Sequence, residues 1–240
     1  MYNGSMNKFP YKCLVLDHDD TVTDSTRHVH HPAFLEALNE LRPGVSVSLD
    51  DYFRLNFHPG FMEYCEQVLS FTPAEFEREL EIWKAYVAGH VPAAFPGMRE
   101  LMQEQIARGG YVCVCSHSLQ ENILRDYREN GLPKPTLVYG WDLPRALRKP
   151  NPFALDDIMD RLQLSAKDLL VVDDLKPGFD MAAQRGVAFA AAGWAYEVPE
   201  IRRFMQKTPP CTLTQWRRSK GICSIRRGFP SARPSSFSSS

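Results

Sequence analysis

The sequence predicts a doubly wound, Rossmann-like α/β domain: a parallel sheet core interrupted by an inserted α-helical domain. Three observations carry this. Short apolar runs recur between longer stretches of helical periodicity. The runs are continuous rather than alternating, the pattern of strands buried on both faces of a parallel sheet. One connection, the 72 residues of 24–95, is too long for a structureless loop and carries helical periodicity of its own.

The strands are expected at Lys12–Asp17 (KCLVLD), Tyr111–Cys115 (YVCVC), Leu137–Tyr139 (LVY), Leu169–Val172 (LLVV) and Val187–Ala191 (VAFAA). Amphipathic stretches at about 97–108, 119–129, 153–163 and 178–185 separate or follow them. This β–α alternation implies right-handed crossovers. Within 24–95, helical spacing runs at about 33–41, 50–56, 60–70 and 73–88, punctuated by Pro43-Gly44, Pro59-Gly60 and Pro73. The expected organisation is therefore a core of 1–23 and 96–206, an inserted helical domain at 24–95, and a tail at 207–240.

The tail differs in kind. Of the 240 residues, those from 207 onward carry Lys207, Arg217, Arg218, Lys220, Arg226, Arg227, Arg233 and no acid. Segment 219–240 contains eight serines, a composition expected to be disordered. The rest carries 21 basic against 29 acidic residues, and an acidic body argues against nucleic acid as a partner, since phosphate backbones require a basic face. The apolar run at Cys13–Leu16 is too short for a secretory signal, and no stretch is long enough to span a bilayer. Six cysteines without a CxxC pair read as reduced, mostly buried thiols, with Cys113 and Cys115 on one strand face. The expectation is a cytoplasmic protein with no membrane partner, monomeric or weakly dimeric.

The chemistry-bearing residues fall at strand ends, where open α/β sheets bind their ligands. The first strand runs into Asp17-His18-Asp19-Asp20-Thr21, two carboxylates at i and i+2 that can divide nucleophilic and acid–base work. Ser116 follows the second strand, with a hydroxyl and a backbone N–H to offer a phosphoryl oxygen. Lys149 precedes Pro150-Asn151-Pro152 as a fixed cation, and Asp173-Asp174 close the fourth strand as oxygen ligands suited to Mg²⁺. Taken singly, an Asp-rich turn, a helix cap and a surface lysine are ordinary features. Their joint occurrence in this order is not.

Across residues 10–205 this set resembles the haloacid dehalogenase-like hydrolase superfamily, in its capped branch of phosphoglycolate phosphatase-like and β-phosphoglucomutase-like enzymes. Asp17, Asp19 and Thr21 match the first motif, Ser116 the second, Lys149 the third, and Asp173 with Asp174 the fourth. The insertion at 24–95 looks like the family's helical cap. His18 stands where an apolar residue is usual, Asp20 replaces a common Gly, and Gly178 stands where many members carry a further acid.

The resemblance implies a Mg²⁺-dependent phosphomonoester hydrolase acting on a small phosphorylated metabolite. Asp17 would be the nucleophile and Asp19 the acid/base. Asp17, the backbone carbonyl of Asp19 and Asp174 would hold the metal, with Asp173 a further candidate. Thr21, Ser116 and Lys149 would face the phosphoryl group, and Arg54 in the insertion is a cation for an anionic substrate. The alternatives are a phosphomutase using the same residues on a sugar phosphate, and a non-catalytic binding module on this fold. Asp19 counts against a dehalogenase, because halide leaves without a proton. His28, His30 and His31 read as polar residues at the cap hinge.

Overall fold

The computed structural model describes residues 10–207. The expectation for the tail therefore lies, apart from Lys207, outside the described residues. The sheet has five parallel strands: β1 (Cys13–Leu16), β2 (Tyr111–Cys115), β3 (Leu137–Tyr139), β4 (Leu169–Asp173) and β5 (Ala188–Ala191), ordered β3-β2-β1-β4-β5. Each strand falls on its expected apolar run. The chain winds outward from β1 through β2 to β3, then returns to β4 on the other side, so β1 lies at the topological switch point.

Side-chain alternation along the strands fills two cores. Cys13, Val15, Cys113, Cys115, Leu169 and Val171 pack beneath α7 (Phe153–Leu162) and α8 (Lys176–Ala183). Leu14, Leu16, Val112, Val114, Leu170 and Val172 face the other way, against α5 (Met98–Ala107) and α6 (Gln120–Glu129). Both sheet faces are thus dry, which is why the runs are continuous rather than alternating. Burying each of the Val and Leu side chains among them contributes about 1.5–3 kcal/mol. Cys13, Cys65, Cys113 and Cys115 are buried free thiols, as expected from their spacing and surroundings.

The insertion contains α1 (His31–Leu41), α2 (Leu49–Phe57), α3 (Phe61–Gln67) and α4 (Pro73–Gly89), preceded by a π-helical turn at Thr26–His30. The start of α4 is written in Thr72-Pro73-Ala74-Glu75. The Thr72 hydroxyl accepts from Glu75 N–H, and the Glu75 carboxylate accepts from Thr72 N–H, while Pro73 has no amide proton to leave unpaired. These helices bury a small core of their own, built on Phe34, Leu38, Tyr52, Leu55, Cys65 and Phe71.

A ninth helix, α9 (Pro199–Lys207), was not expected from the sequence. Val198, Ile201 and Met205 dock it on the α7/α8 face of the sheet, and Phe204 meets Phe57 of α2 edge to face. Among the described residues no helix is long and apolar enough to cross a membrane.

Candidate active site

The site is assembled at the carboxyl ends of β1, β2 and β4. Asp17 N–H still donates to Val172 O, so its carboxylate leaves the sheet at the strand's end. The chain then turns tightly, with Val22 and Thr23 N–H both donating to His18 O. Asp20 holds φ at +57° in that turn, a conformation Asp tolerates and Gly adopts freely. This explains why Asp can replace Gly there. The Asp20 side chain accepts from Thr26 N–H, tying the turn to the start of the insertion, and burial raises its pKa.

Lys149 is 5% exposed, far from a solvated surface charge. Its Nζ donates to Asp17 Oδ1 at 2.8 Å and Asp173 Oδ2 at 2.7 Å, bridging the ends of β1 and β4. Burial disfavours the ammonium, but the Asp17 and Asp173 charges outweigh it and hold Lys149 well above the ordinary lysine range. The Asp173 carboxylate also accepts from Leu175 N–H. Asp174 accepts from Tyr196 OH at 3.1 Å and lies 3.4 Å from Thr21 Oγ1. Burial first, then Asp17 and Asp173, pushes Asp174 well above the carboxylate range.

Asp17, Asp173 and Asp174 each offer an oxygen within 4.8 Å of the others, all buried. Three buried carboxylates face one ammonium, and the donors are all hard oxygens. That combination fits a divalent cation such as Mg²⁺ in both charge and chemistry. Of the described residues, no other group of His, Cys, Asp and Glu has this arrangement. His28, His30 and His31 diverge: His28 pairs with Asp24 and His31 Nε2 with Val47 O, while His30 turns into the site.

Asp19 lies beside this cluster under four side chains. Ser25 Oγ donates to Oδ1 at 2.8 Å and His30 Nε2 lies 2.8 Å from the same oxygen. Ser118 Oγ donates to Oδ2 at 2.6 Å, with Ser116 Oγ at 3.4 Å. Burial would raise the Asp19 pKa, yet His30 and the hydroxyl donor of Ser118 hold it well below the usual range. Ser25 and Ser118 have no place in the sequence-based expectations, and His30 enters them only as a polar residue at the cap hinge. Ser118 alone left a signal, its i+2 spacing from Ser116.

One expectation changes. The backbone N–H of Ser116 is not available to a ligand, because it donates to Tyr139 O in the sheet ladder at 2.9 Å; the hydroxyl remains. The Arg54 guanidinium pairs with Asp51 at 2.8 Å and with Glu200 of α9 at 3.6 Å. Thr21 is fully buried with its hydroxyl toward Asp174. The Gly178 departure also acquires a reason: a Cβ there would stand 2.6 Å from the Asp173 Cβ and collide with its carboxylate.

His18 is buried against α6. Its Nε2 meets Asp126 Oδ2 at 3.1 Å on α6, and Arg125 joins Asp126 to the Val87 and His90 carbonyls at the end of α4. His18 thus links the turn after β1 to that end of the insertion through Asp126 and Arg125.

A doubly wound sheet with buried carboxylates and a buried lysine gathered at its switch point is an arrangement found in α/β hydrolytic enzymes. The chain belongs to the haloacid dehalogenase-like hydrolase family, whose model matches residues 11–186. Among solved structures it is similar to CbbY from Rhodobacter sphaeroides in complex with xylulose-1,5-bisphosphate, at 18% identity and TM-score 0.62, covering 79% of this chain and 91% of that one. A predicted phosphoglycolate phosphatase from Haemophilus somnus matches at 18% identity and TM-score 0.61, covering 77% and 86%. A hydrolase of the same family from Deinococcus radiodurans, with bound phosphate and sodium, matches at 20% and 0.56, covering 76% and 80%. At these identities the likeness establishes the shared fold. No curated protein matches the sequence.

Proposed function

We propose that the protein is a Mg²⁺-dependent phosphomonoester hydrolase acting on a small phosphorylated metabolite through an aspartyl-phosphate. The observation that supports it most is the Lys149 bridge between Asp17 and Asp173 beside Asp174. The bridge fixes the Asp17 carboxyl in place, as a nucleophile requires, while leaving carboxylates in excess of ammonium for a cation. Asp17, the Asp19 carbonyl and Asp174 would hold the metal, with Asp173 beside them; Mg²⁺ would supply charge neutralisation on the transferring phosphoryl group.

Asp17 attacks phosphorus and the bond to the leaving oxygen breaks, with Asp19 giving that oxygen its proton. Water then attacks the phosphoryl group on Asp17 and passes its proton to Asp19, releasing inorganic phosphate. The donors around Asp19 favour its carboxylate, which suits the second step. For the first step Asp19 would have to carry the proton, and the Ser116 hydroxyl beside it would face a phosphoryl oxygen. Lys149 spreads the developing charge. The helices of 24–95 would act as a cap that closes over the leaving group and so sets specificity.

Release of phosphate from a panel of phosphorylated metabolites tests this reading. Turnover should require Mg²⁺, vanish in excess chelator, return on adding Mg²⁺ and be abolished in Asp17→Asn. Full turnover in excess chelator would remove the metal, and an active Asp17→Asn would remove the nucleophile.

A further inference from the structure

Trp83 of α4 reaches the proton-transfer residue through a histidine. Its indole Nε1–H donates to His30 Nδ1 at 3.0 Å, and the two rings lie nearly parallel, 16° apart with centroids at 5.9 Å. On its other side, His30 Nε2 lies 2.8 Å from Asp19 Oδ1. An indole nitrogen has a proton to give and no lone pair to offer, so Nδ1 must be the acceptor. An Nδ1 that accepts from Trp83 carries no proton of its own, so the ring proton sits on Nε2 and donates to Asp19.

We propose that Trp83 is a positioning residue for Asp19: it fixes the Nε2–H tautomer of His30, and His30 in turn aims the Asp19 carboxylate. The proposal rests on Asp19 being the acid/base. The other donors to Asp19 are the hydroxyls of Ser25, Ser116 and Ser118, which rotate about their own bonds. An imidazole tied at Nδ1 has no such freedom. Trp83 belongs to the inserted helices, whereas Asp19 belongs to the sheet domain's catalytic turn. Seating α4 against the core therefore sets the geometry of proton transfer, and lifting it releases His30 to either tautomer and leaves Asp19 without its one rigid donor.

Two measurements test this, and the first needs no turnover. With ¹⁵N-labelled histidine, the His30 resonances, assigned by their loss in His30→Gln, should show a neutral ring protonated at Nε2. In Trp83→Phe, which keeps an aromatic ring and deletes the donor, that preference should fall. A wild-type ring that is cationic or protonated only at Nδ1 overturns the proposal whatever the enzyme's activity. The second is kinetic, on an alkyl phosphate. Trp83→Phe should lower kcat about 10-fold, part of the about 10²–10⁴ that acid–base help provides, with KM changed less than about twofold. His30→Gln, which keeps an N–H for Asp19, should retain more activity than His30→Ala and should be insensitive to Trp83→Phe. Adding Trp83→Phe to Asp19→Asn should cost nothing further, since Trp83 acts only through Asp19. A further loss in that double variant, or an unchanged kcat in Trp83→Phe, overturns the positioning role. Should Trp83→Phe fail to fold, the wild-type tautomer and the Gln–Ala comparison at residue 30 decide. A wild type that hydrolyses no phosphomonoester defeats the phosphatase reading and leaves the tautomer to be judged by resonance.

Discussion

Gly178 and Asp173 compete for one space: the Asp173 side chain occupies the volume that any Cβ on Gly178 would take. Gly178 lies in α8, where alanine is ordinarily preferred by about 1 kcal/mol. Gly178→Ala should reverse that preference. Asp173 must move, its 2.7 Å bond with Lys149 lengthens, and Asp17 loses its fixed position. Activity should fall at least about 10-fold, the scale of loss expected from a small misplacement of a reacting group. A variant that is more stable and fully active would show that Asp173 has room to spare.

Lys149→Met keeps the length of the side chain and removes its charge. The buried carboxylates of Asp17 and Asp173 then repel each other without an ammonium between them. Removing one partner of a buried ion pair commonly costs about 3–5 kcal/mol. The melting temperature should fall, and fall less in Mg²⁺ than in chelator, because the cation takes over part of the neutralisation. The kcat should drop about 10²–10³-fold, as when one preorganised electrostatic contact is deleted. An equal loss of stability with and without Mg²⁺ would contradict a shared charge balance.

Glu79 of α4 is buried in the insertion without a hydrogen bond or ion pair among the described residues, and burial pushes its pKa to about 7 from an ordinary 4.5. The folded form thus holds a proton that the unfolded chain releases near pH 4.5. Its contribution is fully present below pH 4.5, declines as pH rises toward 7, and is lost above that. Glu79→Gln has no proton to lose. Thermal melts from pH 4.5 to 8 should show the wild type losing about 3 kcal/mol relative to Glu79→Gln across that window. Parallel pH profiles for the two proteins would show that Glu79 stays solvated.

The sheet was legible because burial on both faces leaves a plain mark, as in LLVV at β4, and because turn and cap residues such as Thr72-Pro73 punctuate the chain locally. The grouping of Asp17, Asp173 and Asp174 was legible because the carboxyl ends of neighbouring parallel strands lie on one edge of the sheet. What stayed hidden depends on long-range packing. α9 carries charged residues between Ile201 and Met205, and only its docking shows which face is apolar. His30 reaches Asp19 because a π-helical turn at Thr26–His30 rotates it inward, which its place in an RHVHH run does not reveal. Trp83 meets His30 across 53 residues. Ser116 offered two groups on paper, and pairing with β3 removed one of them.

The covalent step at Asp17 is the centre of this account, and a trapping experiment reaches it most directly. Asp19→Asn keeps the main-chain carbonyl but has no base to activate water, so hydrolysis of the phosphoenzyme should stall. Para-nitrophenyl phosphate has a leaving group that barely needs a proton, and its first step should survive. Rapid quenching of Asp19→Asn after mixing with ³²P-labelled para-nitrophenyl phosphate and Mg²⁺ should trap label on the protein, labile to hydroxylamine and mapping to the peptide that contains Asp17. The label should approach one equivalent and be absent from the variant that also carries Asp17→Asn. Turnover with no label on the protein at any time, or label that persists without Asp17, would contradict the account.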